Sequence, residues 1–164
     1  MIKTGLYCLT ALLALMIAPC TASLPCDHAV EAISITADEA SEDTQPGVLY
    51  FDGHFIMQTN DWRLESRKAV VYGPPDRPDK VYLEGSPARF LVTRYAGAGT
   101  ETVEATAPEM EYLRSTGVLR LSGGATLMLE NEVIRSTVIE YNINTDRYRA
   151  GGADGVMIEV PPVK

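Results

Sequence analysis

Apolar and polar residues alternate along most of the chain from Ile33 onward, which is the pattern of half-buried β-strands. The clearest stretch covers residues 49–58, whose apolar members share one face: Leu49, Phe51, Phe55 and Met57. The same period predicts strands at Val81–Leu83, Phe90–Val92, Val118–Leu121, Ala125–Leu129 and Val156–Val160. No stretch keeps the three- and four-residue spacing of an amphipathic helix. The sequence therefore predicts an all-β domain over residues 33–160.

Clusters of Gly, Pro, Asn and Asp separate these strands at short intervals and predict turns. They lie at 45–47, 59–61, 73–76, 97–99, 130–132, 144–146 and 151–155. Many short strands with such regular turns are typical of a sandwich, a barrel or a solenoid.

A unit recurs about four times along the chain. Each copy opens with three residues of a fixed type: an apolar residue, then any residue, then a small residue. These triplets lie at Ile35–Ala37, Leu64–Ser66, Val103–Ala105 and Ile134–Ser136. Each then reaches a second strand that is predicted to end in a glycine, at Gly53, Gly85, Gly123 and Gly151. A glycine at that place marks a bulge or a bend, and one hairpin cannot bury its own apolar face. The repeats therefore predict a curved antiparallel sheet that is folded over a continuous apolar interior.

Length and charge limit the possible functions. The chain has 164 residues, enough for one domain, and a formal net charge of −8. Such an acidic chain is a poor partner for phosphate backbones, so nucleic acid is not expected as a ligand. The chain holds two histidines, His28 and His54, which argues against histidine-based metal sites.

The first 23 residues have the pattern of a cleaved signal peptide. Lys3 precedes an apolar run from Gly5 to Ala18, and small residues follow at 19–23. Residues 24–32 are then a flexible tail, and 161–164 are a C-terminal tail. Cleavage removes Cys8 and Cys20 and leaves Cys26 as the one cysteine of the mature chain, so no disulfide framework is expected. The alternative is an uncleaved segment that anchors the protein to a membrane.

Two recurring segment types resemble the OstA-like family, and most closely its LptA-type members. In the first type, a small residue stands five positions before a tyrosine, as in Ala107–Tyr112 and Ser136–Tyr141. In the second type, a predicted strand reaches a glycine, and an alanine or proline follows two positions later, as in Leu83–Pro87 and Leu121–Ala125. The resemblance implies an antiparallel, repeat-built β-jellyroll that is open at the ends. It also implies a periplasmic carrier that holds the acyl chains of lipopolysaccharide and bridges the inner and outer membranes.

Partners follow from the same resemblance. They are an LptC-like inner-membrane component, an LptD-like outer-membrane translocon and further copies of the chain, which stack head to tail through edge strands. Unpaired first and last strands suit such stacking because main-chain hydrogen bonds continue from one molecule to the next.

Alternation also supplies the candidate lipid-binding residues, which are the apolar positions on the inward face. They are Ile33, Ile35, Leu49, Phe51, Phe55, Met57, Leu64, Leu83, Phe90, Leu119, Leu121, Leu127, Leu129 and Ile134. Val81, Val103, Val138 and Ile158 share the inward pattern. Plain core packing in a closed sandwich would give the same pattern.

Other candidate chemistry is sparse. The basic clusters Arg63, Arg67, Lys68 and Arg147, Arg149 are interpreted as exposed strand charges, with phosphate contact as the alternative. Trp62 is interpreted as a core or hairpin anchor rather than a sugar platform. The remaining alternatives are an LptC-like anchored protein of the same fold and a jellyroll glycan hydrolase with two carboxylates. Because the sequence holds no Ser-His-Asp set, Cys-x-x-Cys or His-x-His motif, we expect no enzyme activity, no metal and no cofactor.

Overall fold

The computed structural model describes residues 32–96 and 99–161, and these residues form nine β-strands and no helix. The predicted signal peptide, Cys26 and the tip of the 97–99 turn lie outside the described residues, as do 162–164. The strands are β1 Ser34–Thr36, β2 Glu39–Glu42, β3 Val48–Gln58, β4 Trp62–Tyr72, β5 Lys80–Ala96, β6 Gly99–Leu113, β7 Val118–Leu129, β8 Glu132–Asn142 and β9 Arg147–Glu159. None of the described segments forms a helix of the length and hydropathy needed to cross a membrane.

All nine strands belong to one antiparallel sheet. Its order is β1-β3-β4-β5-β6-β7-β8-β9, and β2 pairs with β3 next to β1. β1 and β2 therefore make up one interrupted edge, with Ser34 opposite Gln58 and Glu42 opposite Leu49. β9 is the other edge and pairs with β8. The predicted all-β antiparallel fold is confirmed.

The pairing register shifts near the middle of every ladder from β3–β4 to β8–β9. The shifts lie at Asp52/Phe55, Glu65/Lys68, Glu84/Ala88, Thr106/Glu109, Ser122/Ala125 and Ser136/Val138. Bulges bend strands, and here they fall side by side, so they form one line across the sheet that we call the crease. The sheet folds over along the crease, as predicted from the recurring glycines.

The crease divides the sheet into two layers. We call the segments 39–42, 48–52, 68–72, 80–84, 109–113, 118–122, 138–142 and 147–151 the front layer. The segments 34–36, 55–58, 62–66, 88–96, 99–107, 125–129, 132–136 and 156–159 are the back layer. Phe51 and Phe55 lie on opposite sides of the crease, with ring centres 5.2 Å apart.

Gly53 shows why the crease requires glycine. Its φ is +71°, and a Cβ there would lie 2.2 Å from Oδ2 of Asp38. The same carboxylate pairs with His54 Nδ1 at 2.7 Å. The structure corrects one expectation: the strands do not end at these glycines, because pairing resumes beyond the bulge, at Phe55 in β3.

One face of the folded sheet forms a single core between the two layers. Front-layer residues such as Val71, Leu83 and Leu121 meet back-layer residues such as Met57 and Phe90, and all are at most 1% exposed. A sheet can bury one face this completely only against another layer, and here the second layer is its own other half.

The turn predicted at residues 151–155 is wrong, because these residues lie inside β9. Gly151 pairs with Val138 and Val156 pairs with Ser136, so residues 152–155 form a wide bulge opposite Thr137. The Ser136 hydroxyl contacts the carbonyl oxygens of Gly151 at 3.0 Å and Gly155 at 2.9 Å. These contacts hold a glycine-rich segment within the strand where local sequence favours a turn.

Candidate functional site

Most of the predicted lipid-binding residues lie in the core between the layers. The fully buried ones, at most 3% exposed, are Phe55, Met57, Leu64, Leu83, Phe90, Leu119, Leu121, Leu127 and Ile134. The half-buried ones pack against that core and are Ile33, Ile35, Leu49, Phe51 and Leu129.

The other four residues that were predicted to face inward differ in burial according to their place in the sheet. Val81 and Val103 are buried at 0% and 5% exposure. Val138 was expected to face inward, but its neighbour Ile139 is the core residue and Val138 lies on the outer face opposite Ser122. The bulge between Ser136 and Val138 shifts the alternation by one residue. Ile158 was expected to be buried, but it is 51% exposed. It pairs with Ile134, and the row of inward side chains ends with it because β9 is the edge of the sheet.

The interior opens where the two layers part, on the side away from the crease. Front-layer and back-layer turns meet along this side, which we call the mouth. A mostly apolar cavity of about 200 Å³ lies there, the mouth cavity. Its lining comes from both layers and includes Ile33, Met57, Trp62, Leu64, Phe90, Val81, Tyr112, Leu119 and Ile143, together with residues 76–78 and Arg114.

The loop between β4 and β5 forms one wall of the mouth cavity. Arg114 holds this loop in place: its Nε donates to the Pro78 carbonyl at 3.1 Å, and its Nη2 lies 2.6 Å from Oδ1 of Asp79. The Arg114 backbone N–H also donates to the Asp79 carbonyl at 3.0 Å. Pro78 is therefore fixed against the cavity, where it is buried.

A second set of contacts joins the two layers at the mouth, and we call it the Arg94 cluster. Arg94 extends from the back layer, donates from Nη2 to the Ile143 carbonyl and forms an ion pair with Asp146 in the β8–β9 turn. The Tyr141 hydroxyl donates to the same Asp146 carboxylate, and the Arg94 guanidinium lies 5.9 Å from the Tyr141 ring centre. Burial, and then the hydrogen bond to Asp146, raises the pKa of Tyr141.

The predicted basic cluster at β4 is neutralised by carboxylates. Arg63 pairs with Glu65, Arg67 with Glu84 and Lys68 with Asp52, at 2.5, 3.3 and 3.3 Å. Exposed pairs of this kind contribute little stability, and they leave no concentrated positive charge. The arrangement favours the interpretation of these residues as strand charges. Arg147 and Arg149 lie exposed on β9.

Alternation found several strand residues of the mouth cavity but missed Tyr112 in β6 and the loop residues. Ile33, Met57, Leu64, Phe90 and Leu119 were predicted as lining and do line it. Sequence reasoning missed Pro78, Tyr112 and Ile143. Tyr112 lies two residues after buried Met110 on the inward face of β6, so alternation could have found it, whereas Pro78 and Ile143 lie in turns, where the period of two does not apply.

The described part of the chain offers neither a cluster of metal ligands nor an unpaired buried polar side-chain atom. No group of three or more His, Cys, Asp or Glu side chains within residues 32–96 and 99–161 is arranged to hold a metal ion. Every buried side-chain nitrogen and oxygen of these residues has a hydrogen-bond partner. What the site offers is apolar volume between two layers.

Comparison with known proteins agrees with this geometry. The model of the family described as LptA/(LptD N-terminal domain) LPS transport protein matches residues 34–147. A search of curated proteins found no match. Among solved structures, the chain is similar to LptH from Pseudomonas aeruginosa, described as the LptA-homologous periplasmic component of the lipopolysaccharide transport device, with a TM-score of 0.71 and 18% identity. The match covers 80% of this chain and 96% of that one, and it shows a shared fold.

Proposed function

Because this chain belongs to the LptA/(LptD N-terminal domain) family of lipopolysaccharide transport proteins, we propose that it carries lipopolysaccharide across the periplasm with the acyl chains between its two layers. The observation that carries the proposal is the mouth cavity, a mostly apolar space whose lining includes Trp62 and Tyr112. Each methylene group moved from water into such a site contributes about 0.8 kcal/mol. Several acyl chains therefore supply ample affinity without any polar contact.

Charge supports the same orientation of the lipid. The chain carries a formal net charge of −8, which disfavours burying phosphate groups against it. The acyl chains then lie inside and the phosphates stay at the mouth. The cavity of about 200 Å³ is small for whole ligands, which usually occupy roughly 300–1,000 Å³, so the layers must separate further as the lipid enters.

The two edges of the sheet support the bridging part of the proposal. Among residues 32–96 and 99–161, β1 and β2 at one edge and β9 at the other each pair on one side, so their outer main-chain groups are available for another strand. We propose that these edges join copies of the chain head to tail, and join the ends of such a stack to an LptC-like inner-membrane component and an LptD-like outer-membrane translocon. A periplasmic location is supported by the described location of LptH.

Photocrosslinking with a matched pair of tyrosines tests the lipid site. Tyr112 lines the mouth cavity, whereas Tyr72 lies on the outer face of the front layer and is 38% exposed. Replacing either one with p-benzoylphenylalanine keeps the phenyl ring and puts a bulkier benzoyl group in place of the hydroxyl, so the same change is made at both positions. Irradiation in living cells and blotting for lipopolysaccharide should give an adduct at position 112 and none at position 72.

The outcomes separate the interior from the surface. An adduct at position 112 alone supports the carrier proposal. Equal adducts at both positions would mean nonspecific contact with lipid, and no adduct at either position in a folded, exported protein would reject the proposal.

A further inference from the structure

The Arg94 cluster lies between two cavities of the mouth. Ile143, whose carbonyl accepts from Arg94, lines the mouth cavity. Asp146, which pairs with Arg94, lines a second, more open cavity of about 420 Å³, where Val103 and Leu129 meet polar side chains that include Glu101, Glu130 and Glu132. The cluster therefore lies between the mouth cavity and a part of the mouth where core-packed residues of β6 and β7 reach the surface.

Arg94 is unusual among the cations of the described residues. Its side chain is 23% exposed, whereas the other Lys and Arg side chains in ion pairs are 37% exposed or more. Most of those other pairs join neighbouring strands of one layer, for example Arg120 with Glu140. Arg94 instead spans the gap between the back layer and a front-layer turn.

The front-layer turn holds Asp146 ready for this contact. Asp146 has a φ of +59°, a left-handed conformation that Gly, Asn and Asp adopt more readily than other residues. Its N–H donates to the Asn142 carbonyl at 3.0 Å, and the Asn142 side-chain oxygen accepts from the N–H groups of Asn144 and Thr145, each at 3.0 Å. These bonds therefore fix the backbone at Asp146 without any contribution from Arg94.

We propose that Arg94, Asp146 and Tyr141 form a latch that holds the two layers together and blocks passage of acyl chains between the two cavities until it opens. The proposal rests on the carrier function above and adds a control point to it. The latch is a contact that can be broken reversibly, because the Arg94 and Asp146 side chains are 23% and 48% exposed and water can replace their partners.

Two crosslinking positions report on the latch. With p-benzoylphenylalanine at Tyr112, an adduct shows lipid in the mouth cavity, and at Leu129 it shows lipid beyond the latch. Purified protein is incubated with lipopolysaccharide micelles and irradiated at intervals, and the ratio of the 129 adduct to the 112 adduct is followed over time. Asp146→Asn removes the charge but keeps a residue that tolerates positive φ.

We expect Asp146→Asn and Arg94→Gln to raise the early 129-to-112 ratio about tenfold, the factor that corresponds to about 1.4 kcal/mol of lost latch stability. Arg94→Lys keeps the charge but loses the planar group that reaches both Asp146 and the Ile143 carbonyl, so it should give an intermediate ratio. Glu140→Gln breaks the Arg120 pair within the front layer, at 3.6 Å, and serves as the matched control with an unchanged ratio.

The two proposals fail in different ways. Adducts at position 112 with the same 129-to-112 ratio in all variants would overturn the latch and leave the carrier function standing. A ratio that rises equally in Glu140→Gln would also overturn it, because general loosening would then explain the effect. No adduct at either position in any folded variant would overturn the carrier function itself.

Discussion

Ile134 and Ile158 stand opposite each other in the β8–β9 ladder, yet Ile134 is fully buried and Ile158 is 51% exposed. Both belong to one inward row of the back layer, which passes through Met57, Leu64 and Phe90. Within the described residues no strand follows β9, so the last member of the row lacks a neighbour on one side. The apolar interior is therefore open at this edge, and an added strand would close it.

Charge at Ile158 should weaken self-association. Ile158→Asp places a carboxylate in the row that a second copy would cover, so we expect the dissociation constant to rise at least about tenfold, or 1.4 kcal/mol. Sedimentation velocity over a concentration series measures this. Met128→Asp is the matched control, since Met128 is 44% exposed and lies within the sheet rather than at an edge. Equal effects of the two substitutions would argue against pairing through β9.

Leucines inside and outside the core should differ sharply in their contribution to stability. Leu121 is fully buried, and Leu121→Ala should lower the free energy of unfolding by about 2–5 kcal/mol because it leaves a cavity. Leu113 is 36% exposed, and Leu113→Ala should cost about 0.5 kcal/mol. Urea denaturation followed by circular dichroism compares the two. Similar losses would mean that the interior is not packed as described.

Gly53→Ala tests the crease. A left-handed φ costs an L-residue about 1–2 kcal/mol, and the new Cβ would also displace Asp38 from beside His54. We therefore expect a loss of more than about 1 kcal/mol in the same denaturation assay. Gly151→Ala adds a methyl group into open space, and its effect should stay below about 1 kcal/mol. A neutral Gly53→Ala would show that the bulge does not depend on this glycine.

The buried hydroxyl of Tyr141 should make the folded protein less stable at alkaline pH. Its folded-state pKa is raised, first by burial and then by the hydrogen bond to Asp146, whereas an unfolded tyrosine titrates near pH 10. The folded state thus holds the proton more tightly. The stabilisation is complete below about pH 10 and falls by about 1.4 kcal/mol per pH unit as pH rises toward the folded pKa.

Tyr141→Phe isolates that contribution. The variant lacks the titrating hydroxyl, so its free energy of unfolding should fall less steeply than that of the wild type between pH 10 and pH 11. At neutral pH the variant should be about 1 kcal/mol less stable, since the bond to Asp146 is lost. Parallel pH profiles for the two proteins would contradict this assignment.

The sequence carries enough information for the fold because alternation holds within each layer. Phe51 and Phe55 are four residues apart and both face inward, so β3 keeps the period of two across its bulge. In β8 the buried Ser136 and Ile139 are three residues apart, so the period shifts by one residue there and the inward assignment of Val138 is wrong. The family resemblance was recognised from the repeated glycine and tyrosine positions, and the family match confirms it. Turn chemistry misled only where side chains of the neighbouring strand hold a glycine-rich segment in β9.

The mouth could be predicted only in part. Arg94 and Asp146 are far apart in sequence, and no local pattern brings a strand end and a turn together. Pro78 and Ile143 reach the cavity because Arg114 and Arg94 bind their carbonyl groups, which is a tertiary effect. Whether the predicted core residues contact lipid stays a prediction that the crosslinking experiments address.

Because of the crease, the depth and the length of the trough between the two layers are set independently. Each front-layer segment has about five residues at roughly 3.3 Å per residue, so the trough between the layers is about 17 Å deep. Moving the bulge along the strands would change that depth, and adding hairpins would change only the length. Depth limits how long an acyl chain can be accommodated crosswise, while length sets the distance travelled, and selection can therefore adjust cargo size and reach separately.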